Sequence, residues 1–432
     1  MSSGKKLAKF GLIYTIANGV QKGIGFIVFM YLASLFTVEE YALFGIYYAI
    51  FAGVATISFA GITESVVSLL PENKEPLERK SLFQAAGSVF LLLSCVALVS
   101  IYLFQTIGYY ENYDNIYEVL IIIFSSIVSS YFLFQAILVR LNEGHIEAIT
   151  FSFIPQAFGY GLGFCMAYYY GTAIAYFSGS LVGHSLGFLV YKFPHIRFTG
   201  FSSDKISIRK LLSRLVPFSI VGLISWFLGY GITFVIDYHF SKEDVAVYVF
   251  LYTIASIIQL VATSMNQVWA PRFYGLFGEK TIEFIEKQYD KFTMLQGAII
   301  GFSGFVIVAL LLLVSQFTDT LGDYVNKKDE LFLLFGGYLL AIPWWHCQNY
   351  FFINNKGKKL LKITTIAGVV GLSVWMTCMM LLGKEGIYVG FLANMAVRSA
   401  LIYVVARKEW KIGFDWKGLI IGLGLLSLMF LF

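Results

Sequence analysis

The sequence has 432 residues, of which 58% are hydrophobic, 18% are aromatic and only 13% are charged. A soluble globular domain carries about 25% charged residues, so this composition excludes a soluble protein and places most of the chain in lipid. A β-barrel is also excluded, because barrel strands alternate apolar and polar residues, whereas the apolar runs here are continuous over 20 or more residues. The composition therefore predicts an all-α polytopic membrane protein.

Twelve apolar segments are long enough to cross the hydrocarbon layer, which a helix of about 20 residues spans. The first follows Lys5, Lys6 and Lys9 and is too long for the apolar part of a cleaved signal peptide. A further apolar tail, residues 417–432, is predicted either to form a short thirteenth segment or to lie against the membrane. The twelve predicted spans are residues 10–36, 42–70, 82–105, 116–139, 146–169, 173–191, 215–238, 245–273, 293–317, 331–353, 361–382 and 386–406.

Lys and Arg are distributed unevenly between the two sides of these spans. The N-terminus, every second connection and the tail after residue 406 carry 25 of the 31 basic residues, whereas the opposite connections carry four. Because basic residues concentrate in cytoplasmic loops, we expect both termini to be cytoplasmic.

The longest basic connection, residues 192–214, divides the spans into six plus six. Residues 36–44 (FTVEEYALF) match residues 240–248 (FSKEDVAVY) at an offset of 204, and each segment joins the first two helices of its half. An even number of spans in each half orients both copies alike, as in transporters that rock two bundles about a central site. We predict an N-lobe of residues 1–200 with helices 1–6, and a C-lobe of residues 201–432 with helices 7–12 and the short apolar segment.

Several local features together resemble a known family. They are the basic N-terminus, Asn18 and Lys22 in the first helix, the turn from Phe36 to Phe44, and Gly53 and Gly61 in the second helix. With the six-plus-six plan, they make the chain similar to the polysaccharide transporter (Wzx-type flippase) family of the multidrug/oligosaccharidyl-lipid/polysaccharide exporter superfamily. The usual Tyr-Gly of the turn is Tyr41-Ala42 here, a departure that concerns the turn and not the substrate.

This resemblance implies a MATE-like fold and a secondary transporter of the bacterial inner (plasma) membrane. The expected substrate is a polyprenyl-pyrophosphate-linked oligosaccharide for surface polysaccharide or O-antigen biosynthesis, whose tail stays in lipid while its head passes between the lobes. Membrane lipids and other glycan-assembly membrane proteins are the expected partners, without nucleic acid. The sequence contains no P-loop motif, so no cofactor is expected, and a proton or sodium gradient is the candidate driving force.

Ionisable residues at membrane depth are costly and mark functional sites. Lys22 lies about 18 Å along its helix from the cytoplasmic start, with Asn18 one turn before it and Gln21 adjacent. This polar stripe is predicted to hold an anionic head group or to pair with a carboxylate of another helix. Arg398, with Asn394 one turn before it in the last span, has a guanidinium that matches a phosphate, or it has a structural role.

Acidic groups are scarcer at this depth. Glu64 is the one carboxylate well inside a span, and two embedded cations against one anion favour an anionic substrate. Glu64 either pairs with Lys22, couples export to an ion, or reaches the interface. Asp237 and His184 are further candidates for ion coupling, although a buried histidine more often makes an interhelical hydrogen bond. The four cysteines lie singly in apolar runs and predict neither a metal site nor a disulfide.

Amide and aromatic residues are predicted to contact the sugar. Gln259 and Asn266 share a face of helix 8, and Trp226 lies on helix 7. They either bind sugar rings in a wet cavity or make interhelical contacts. Helix 10 contains the segment Pro343-Trp-Trp-His346, where the proline is a candidate kink.

Arg140, Arg214 and Arg272 lie at cytoplasmic helix ends. They either anchor the helices or form a cytoplasmic mouth that attracts pyrophosphate. The glycines of residues 159–163 lack the strand and helix of a dinucleotide-binding motif and predict close helix packing.

Two other functions compete with the flippase. A multidrug cation antiporter of the same fold needs a membrane carboxylate for coupling, and only Glu64 is a plausible one. A membrane glycan polymerase or ligase needs room outside the membrane, whereas the longest outer connection here, residues 318–330, is short. We therefore predict a transporter and not an enzyme.

Overall fold

The structure is a computed structural model that describes residues 20, 23–59, 61–70, 75–106, 115–141, 145–190, 205–277, 279–316, 324, 326–354, 356–410 and 416–431. These residues form helices and short connections, without a β-strand among them, which confirms the predicted all-α class. The chain divides into two compact units, Met1–Val235 (the first unit) and Ile236–Phe432 (the second unit).

Within the described part of the chain, eight helical stretches are long and apolar enough to cross a membrane. The helices of the first unit are α1 (Gly23–Leu35), α2 (Val38–Phe59), α3 (Ile62–Leu69), α4 (Pro76–Thr106), α5 (Ile116–Leu141), α6 (His145–Tyr170), α7 (Ala173–Val190) and α8 (Lys205–Trp226). A π-helix, Phe227–Gly231, then leads into α9 (Ile232–His239), which enters the second unit. The helices of the second unit are α10 (Lys242–Leu276), α11 (Ile282–Ser315), α12 (Lys328–Leu340), α13 (Ile342–Ile353), α14 (Gly357–Leu382), α15 (Glu385–Arg407) and α16 (Lys417–Ser427), followed by a 3-10 turn at Leu428–Leu431.

The second predicted span is broken into α2 and α3 at Gly61. This residue has a φ of 81°, a left-handed conformation that glycine adopts at little cost. A Cβ at this position would also lie 2.8 Å from the Leu215 carbonyl oxygen and 2.9 Å from the Ser219 hydroxyl oxygen. The break therefore depends on glycine twice, for the backbone conformation and for the close approach of α8.

The matching segments of the two halves have the same local structure. Helices α2 and α10 begin at positions separated by the predicted offset of 204. The Thr37 hydroxyl accepts a hydrogen bond from the Glu40 amide (3.3 Å), and the Ser241 hydroxyl accepts one from the Asp244 amide (3.2 Å), which is an N-cap in each case. The acidic residues differ, because Asp244 bonds back to Ser241 (3.2 Å) whereas Glu40 caps α7 at Ala173 (2.8 Å).

Helices α6 and α7 touch backbone to backbone through glycines. A Cβ on Gly183 of α7 would overlap the Phe158 carbonyl oxygen and lie 2.8 Å from the Cα of Gly159. Gly159 in turn leaves room for the imidazole of His184. Small residues of this kind allow membrane helices to approach closely. The predicted role in helix packing is therefore confirmed for Gly159 and Gly163, whereas Gly161 is exposed and a Cβ there would meet nothing within 4 Å.

The apolar tail forms α16, which packs along α11. Each helix carries a Gly-x-x-x-Gly motif, Gly297 with Gly301 and Gly418 with Gly422. A Cβ on Gly297 would overlap the Gly418 carbonyl oxygen, and a Cβ on Gly301 would overlap that of Gly422. Because the residue numbers of the paired positions increase in the same direction along both helices, the two helices run parallel. The tail is therefore a further helix of the second unit.

We expect Gly301→Leu to weaken this contact and to lower the free energy of unfolding by about 1–3 kcal/mol, the usual cost of overpacking. Thermal unfolding of the purified protein measures the effect. Gly424→Leu is the matched control, since a Cβ there would meet nothing within 4 Å. Equal melting temperatures for the two variants would contradict the α11–α16 packing.

Candidate functional site

Arg398 and Asn394 lie one turn apart on α15, and both are buried in the second unit. Arg398 is 8% exposed and Asn394 is fully buried. Both side chains lie against Gly371 of α14, where a Cβ would overlap the Asn394 amide oxygen and lie 3.4 Å from Cγ of Arg398. Because residue 371 is a glycine, it leaves space for the two polar groups.

Aromatic side chains surround the Arg398 guanidinium. Its Cζ lies 4.8 Å from the ring centroid of Trp344 on α13, which is a cation–π contact. Tyr252 of α10 and Tyr338 of α12 lie close enough to Arg398 to interact with it electrostatically. The cluster brings together Arg398 and Trp344, which the sequence analysis singled out, and two tyrosines from two other helices.

The positive charge of Arg398 has no acidic partner in the part of the chain that the structure describes. The ion pairs there involve other residues, and the Nε donor of Arg398 forms no hydrogen bond. Both polar atoms of the Asn394 amide are also without a hydrogen-bond partner among the described residues. A buried charge without a counter-ion costs free energy, so this site is suited to an anion.

Two amides of α10 are bonded to neighbouring helices of the second unit. The Tyr338 hydroxyl donates to Oε1 of Gln259 at 3.4 Å, and Nδ2 of Asn349 donates to Oδ1 of Asn266 at 2.8 Å. Gln259 is exposed and Asn266 is half-buried. The two predicted amide residues therefore lie on one helix and keep part of their polar surface accessible.

A second polar contact joins α10, α11 and α13. Gln296 of α11 is fully buried; its Nε2 donates to the Ala262 carbonyl oxygen (3.1 Å), and its Oε1 is hydrogen-bonded to Nε2 of His346 (2.8 Å). The ring of Tyr289 packs edge-on against His346 with a centroid distance of 4.7 Å. This group is enclosed by the three helices and links them through hydrogen bonds, which is a structural role.

Trp226 packs between α8 and α2 in the first unit. Its indole Nε1 donates to the Ala49 carbonyl oxygen at 3.0 Å, and a Cβ on Gly53 would lie 2.8 Å from its ring. The π-helix that follows places Tyr230 edge-on to Tyr48, with centroids 5.1 Å apart. The predicted contact of Trp226 with sugar stays a prediction.

The candidates for ion coupling have different surroundings. Asp237 forms an ion pair of 2.5 Å with Lys242. His184 is 2% exposed, its Nδ1 lies 2.7 Å from the Ser180 carbonyl oxygen, and its Nε2 forms no hydrogen bond with a described residue. Glu64 lies on α3, but its side chain is outside the described part. Their roles in coupling stay predictions.

The remaining predicted residues are distributed over several elements. Asn18, Gln21 and Lys22 lie outside the described residues. Arg140 is in the last turn of α5, and Arg214 is exposed on α8. Arg272 is exposed on α10 and donates to Oε1 of Gln288 at 3.1 Å. Among the described ranges, no three His, Cys, Asp or Glu residues are grouped to hold a metal ion.

Sequence reasoning missed four residues of these clusters: Tyr252, Tyr338, Gln296 and Gly371. Tyr252 precedes Gln259 by seven residues, which is about two helical turns, so its position on the same face was a usable signal. The other three lie in apolar runs, and their roles arise from contacts between helices that are distant in sequence.

Comparison with known proteins gives both a family match and a shared fold. A family model described as "Polysaccharide biosynthesis protein" matches residues 7–277. A search of curated protein sequences finds no significant match.

Three similar solved structures illustrate the fold. The lipid II flippase MurJ in its inward closed conformation has a TM-score of 0.72 at 15% identity, over 97% of this chain and 92% of that chain. MATE in the straight conformation has a TM-score of 0.60 at 15% identity, over 94% and 95%. An outward-facing multidrug resistance MATE family transporter of the MOP superfamily has a TM-score of 0.59 at 14% identity, over 94% and 95%. The predicted MATE-like fold is confirmed.

Proposed function

We propose a function for this chain, which belongs to the polysaccharide biosynthesis protein family. It flips a polyprenyl-pyrophosphate-linked oligosaccharide across the bacterial inner membrane. The family membership confirms the resemblance drawn from the sequence. The structurally similar proteins are membrane transporters and not enzymes, and this chain has the same fold. Both termini are proposed to be cytoplasmic, because the basic residues concentrate on that side.

The buried charge of Arg398 carries this proposal. It is a cation on a membrane-spanning helix, 8% exposed, without an acidic partner in the described part of the chain. The electrostatic attraction of an anion is strong where the local dielectric is low, and a guanidinium can bond two phosphate oxygens at once. A pyrophosphate head group is therefore the substrate feature that this site suits best.

Two amides of α10 suit the sugar portion of the same substrate. Exposed Gln259 and half-buried Asn266 carry amides that can hydrogen-bond sugar oxygens. In the proposed cycle the head group crosses by alternating access while the polyprenyl tail stays in lipid. Lys22, outside the described residues, is proposed as a second cation for the head group. Glu64, Asp237 and His184 remain candidates for coupling this cycle to a proton or sodium gradient.

Deletion of the gene, followed by analysis of extracted lipids, tests the proposal. We expect a lipid-linked oligosaccharide to accumulate on the cytoplasmic side of the membrane, since it is assembled there and no longer exported. Mass spectrometry of the accumulated species identifies its sugars and its carrier, and re-expression of the wild-type chain is the control. An unchanged pool of lipid-linked oligosaccharides would refute the flippase.

A multidrug cation antiporter is the second candidate, because similar structures include a multidrug resistance MATE transporter. The positive charge of Arg398 argues against it, since a buried cation repels organic cations. Expression in an efflux-deficient host separates the two functions. The flippase predicts no protection against cationic drugs, and protection would favour the antiporter.

A further inference from the structure

Gln259 and Asn266 of α10 are held in the same way at two heights of the second unit. The amide oxygen of each accepts a hydrogen bond from a side chain of a neighbouring helix, Tyr338 in one case (3.4 Å) and Asn349 in the other (2.8 Å). Both partners are buried, with exposed fractions of 1% for Tyr338 and 4% for Asn349. A buried residue thus orients a more accessible one in each pair.

Burial explains why the hydrogen bonds run in this direction. If Asn266 donated to Asn349 instead, both N–H groups of the buried Asn349 would need other acceptors, and an unsatisfied buried donor is costly. Tyr338 likewise has one hydroxyl proton to donate, and the Gln259 oxygen accepts it. Both amide oxygens are therefore used inside the unit. No described residue accepts a hydrogen bond from the NH2 groups of Gln259 and Asn266, so these groups can bond other molecules.

We propose that Gln259 and Asn266 form a two-point donor surface for oxygen atoms of the transported head group, and that Tyr338 and Asn349 are positioning residues that orient the two amides. The amides are seven residues apart on one helix face, which separates them by about 10 Å along the axis. This separation exceeds one monosaccharide ring, so the surface requires an extended oligosaccharide head. Its acceptors are sugar hydroxyl, ring or phosphate oxygens.

Arg398 strengthens the first of these donors. Its positive charge interacts electrostatically with Tyr338, and the Tyr338 hydroxyl donates to the Gln259 amide oxygen. A nearby charge polarises a hydrogen bond in a low-dielectric interior. The inference rests on the proposed function and adds to it the direction of the hydrogen bonds: the protein donates and the sugar accepts.

Double-mutant cycles on binding test the inference. The probe is the lipid-linked oligosaccharide extracted from the deletion strain, and the Kd is measured with the purified full chain in nanodiscs. Asn349→Leu is expected to raise the Kd about 3- to 10-fold, as loss of one oriented hydrogen bond does. In an Asn266→Leu background the same change should raise it less than about 2-fold, because a positioning residue acts only through its partner. Tyr338→Phe and Gln259→Met form the second cycle.

The control is Gln296→Met, which removes a buried amide whose partners, Ala262 and His346, lie within the unit. It is expected to lower the melting temperature and leave the Kd unchanged. If Gln296→Met raised the Kd as much as Asn349→Leu does, the inference would be overturned. It would also be overturned if the effects of the two substitutions on the Kd were additive in both cycles. If Asn349→Leu does not fold, the Tyr338→Phe cycle decides, since that variant loses only a hydroxyl group. Failure of the wild-type protein to bind the probe would refute the proposed function itself. If the wild-type protein binds the probe but the Kd changes in both cycles are additive, only this inference is refuted.

Discussion

Arg398→Met is expected to reduce glycan export roughly 10- to 100-fold, which corresponds to the loss of a hydrogen bond to a charged group. The substitution removes the positive charge that no acidic residue of the described chain neutralises. Export is measured as surface glycan per amount of transporter in the deletion strain.

The same substitution should leave the melting temperature unchanged or raise it. An isolated buried charge is destabilising, and an apolar side chain of similar volume is often neutral or stabilising in its place. Loss of the contact with Trp344 opposes this gain. A functional site of this kind keeps a destabilising group because activity needs it. We therefore expect glycan export to fall without a fall in melting temperature.

Arg398→Lys is expected to have an intermediate effect, because lysine keeps the charge and loses the planar donor geometry. Arg407→Met is the matched control, since Arg407 is exposed at the end of the same helix, where its Cζ lies 6.0 Å from the centroid of the Tyr403 ring. Wild-type export by Arg398→Met would refute the site. A large fall in melting temperature together with lost export would indicate a structural role instead.

Gly183→Ala is expected to lower the free energy of unfolding by about 1–3 kcal/mol, as overpacking does. The added methyl group would overlap the backbone carbonyl oxygen of Phe158, and backbone atoms cannot move aside as a side chain can. Helices α6 and α7 would have to separate along their glycine contact. Thermal unfolding and the amount of folded protein in the membrane measure the loss.

Gly161→Ala should have the opposite sign. Gly161 lies on α6 in the same contact region, but it is exposed and a Cβ there would meet nothing within 4 Å. Alanine is favoured over glycine inside a helix by up to about 1 kcal/mol. Equal destabilisation by the two substitutions would show that the α6–α7 contact does not depend on the bare Cα of Gly183.

The helical class and the approximate positions of most described helices were predictable, because they follow from the length and continuity of the apolar runs. The offset of 204 between the two copies of the repeated segment was predictable as well. The helix starts were not, because the local caps Thr37 and Ser241 begin the helices before the predicted spans at residues 42 and 245. Gly61 is one of the sequence features that carry the family resemblance. Its function in breaking the second span depends on α8, which no local pattern reveals.

The candidate site was predictable only in part. Spacing on one helix placed Arg398 with Asn394, and Gln259 with Asn266. It did not identify Tyr338 or Gly371, because a tyrosine or glycine in an apolar run is ordinary in a membrane helix. It also did not show that Trp226 donates its indole N–H to the Ala49 carbonyl oxygen.

Hydrophobicity acts on each segment by itself, so the sequence alone determined that this chain resides in a membrane, where its helices lie and which deep charges require an explanation. Hydrogen bonds and close packing act between segments. Only the tertiary structure could therefore decide that Arg398 lies against Trp344 at 4.8 Å without an acidic partner in the described chain, and which amides of α10 are oriented by their neighbours. The physical reason is the distance along the sequence over which each effect acts. Insertion of a helix in the membrane depends on its own composition, whereas the geometry of a binding site depends on residues brought together from several helices.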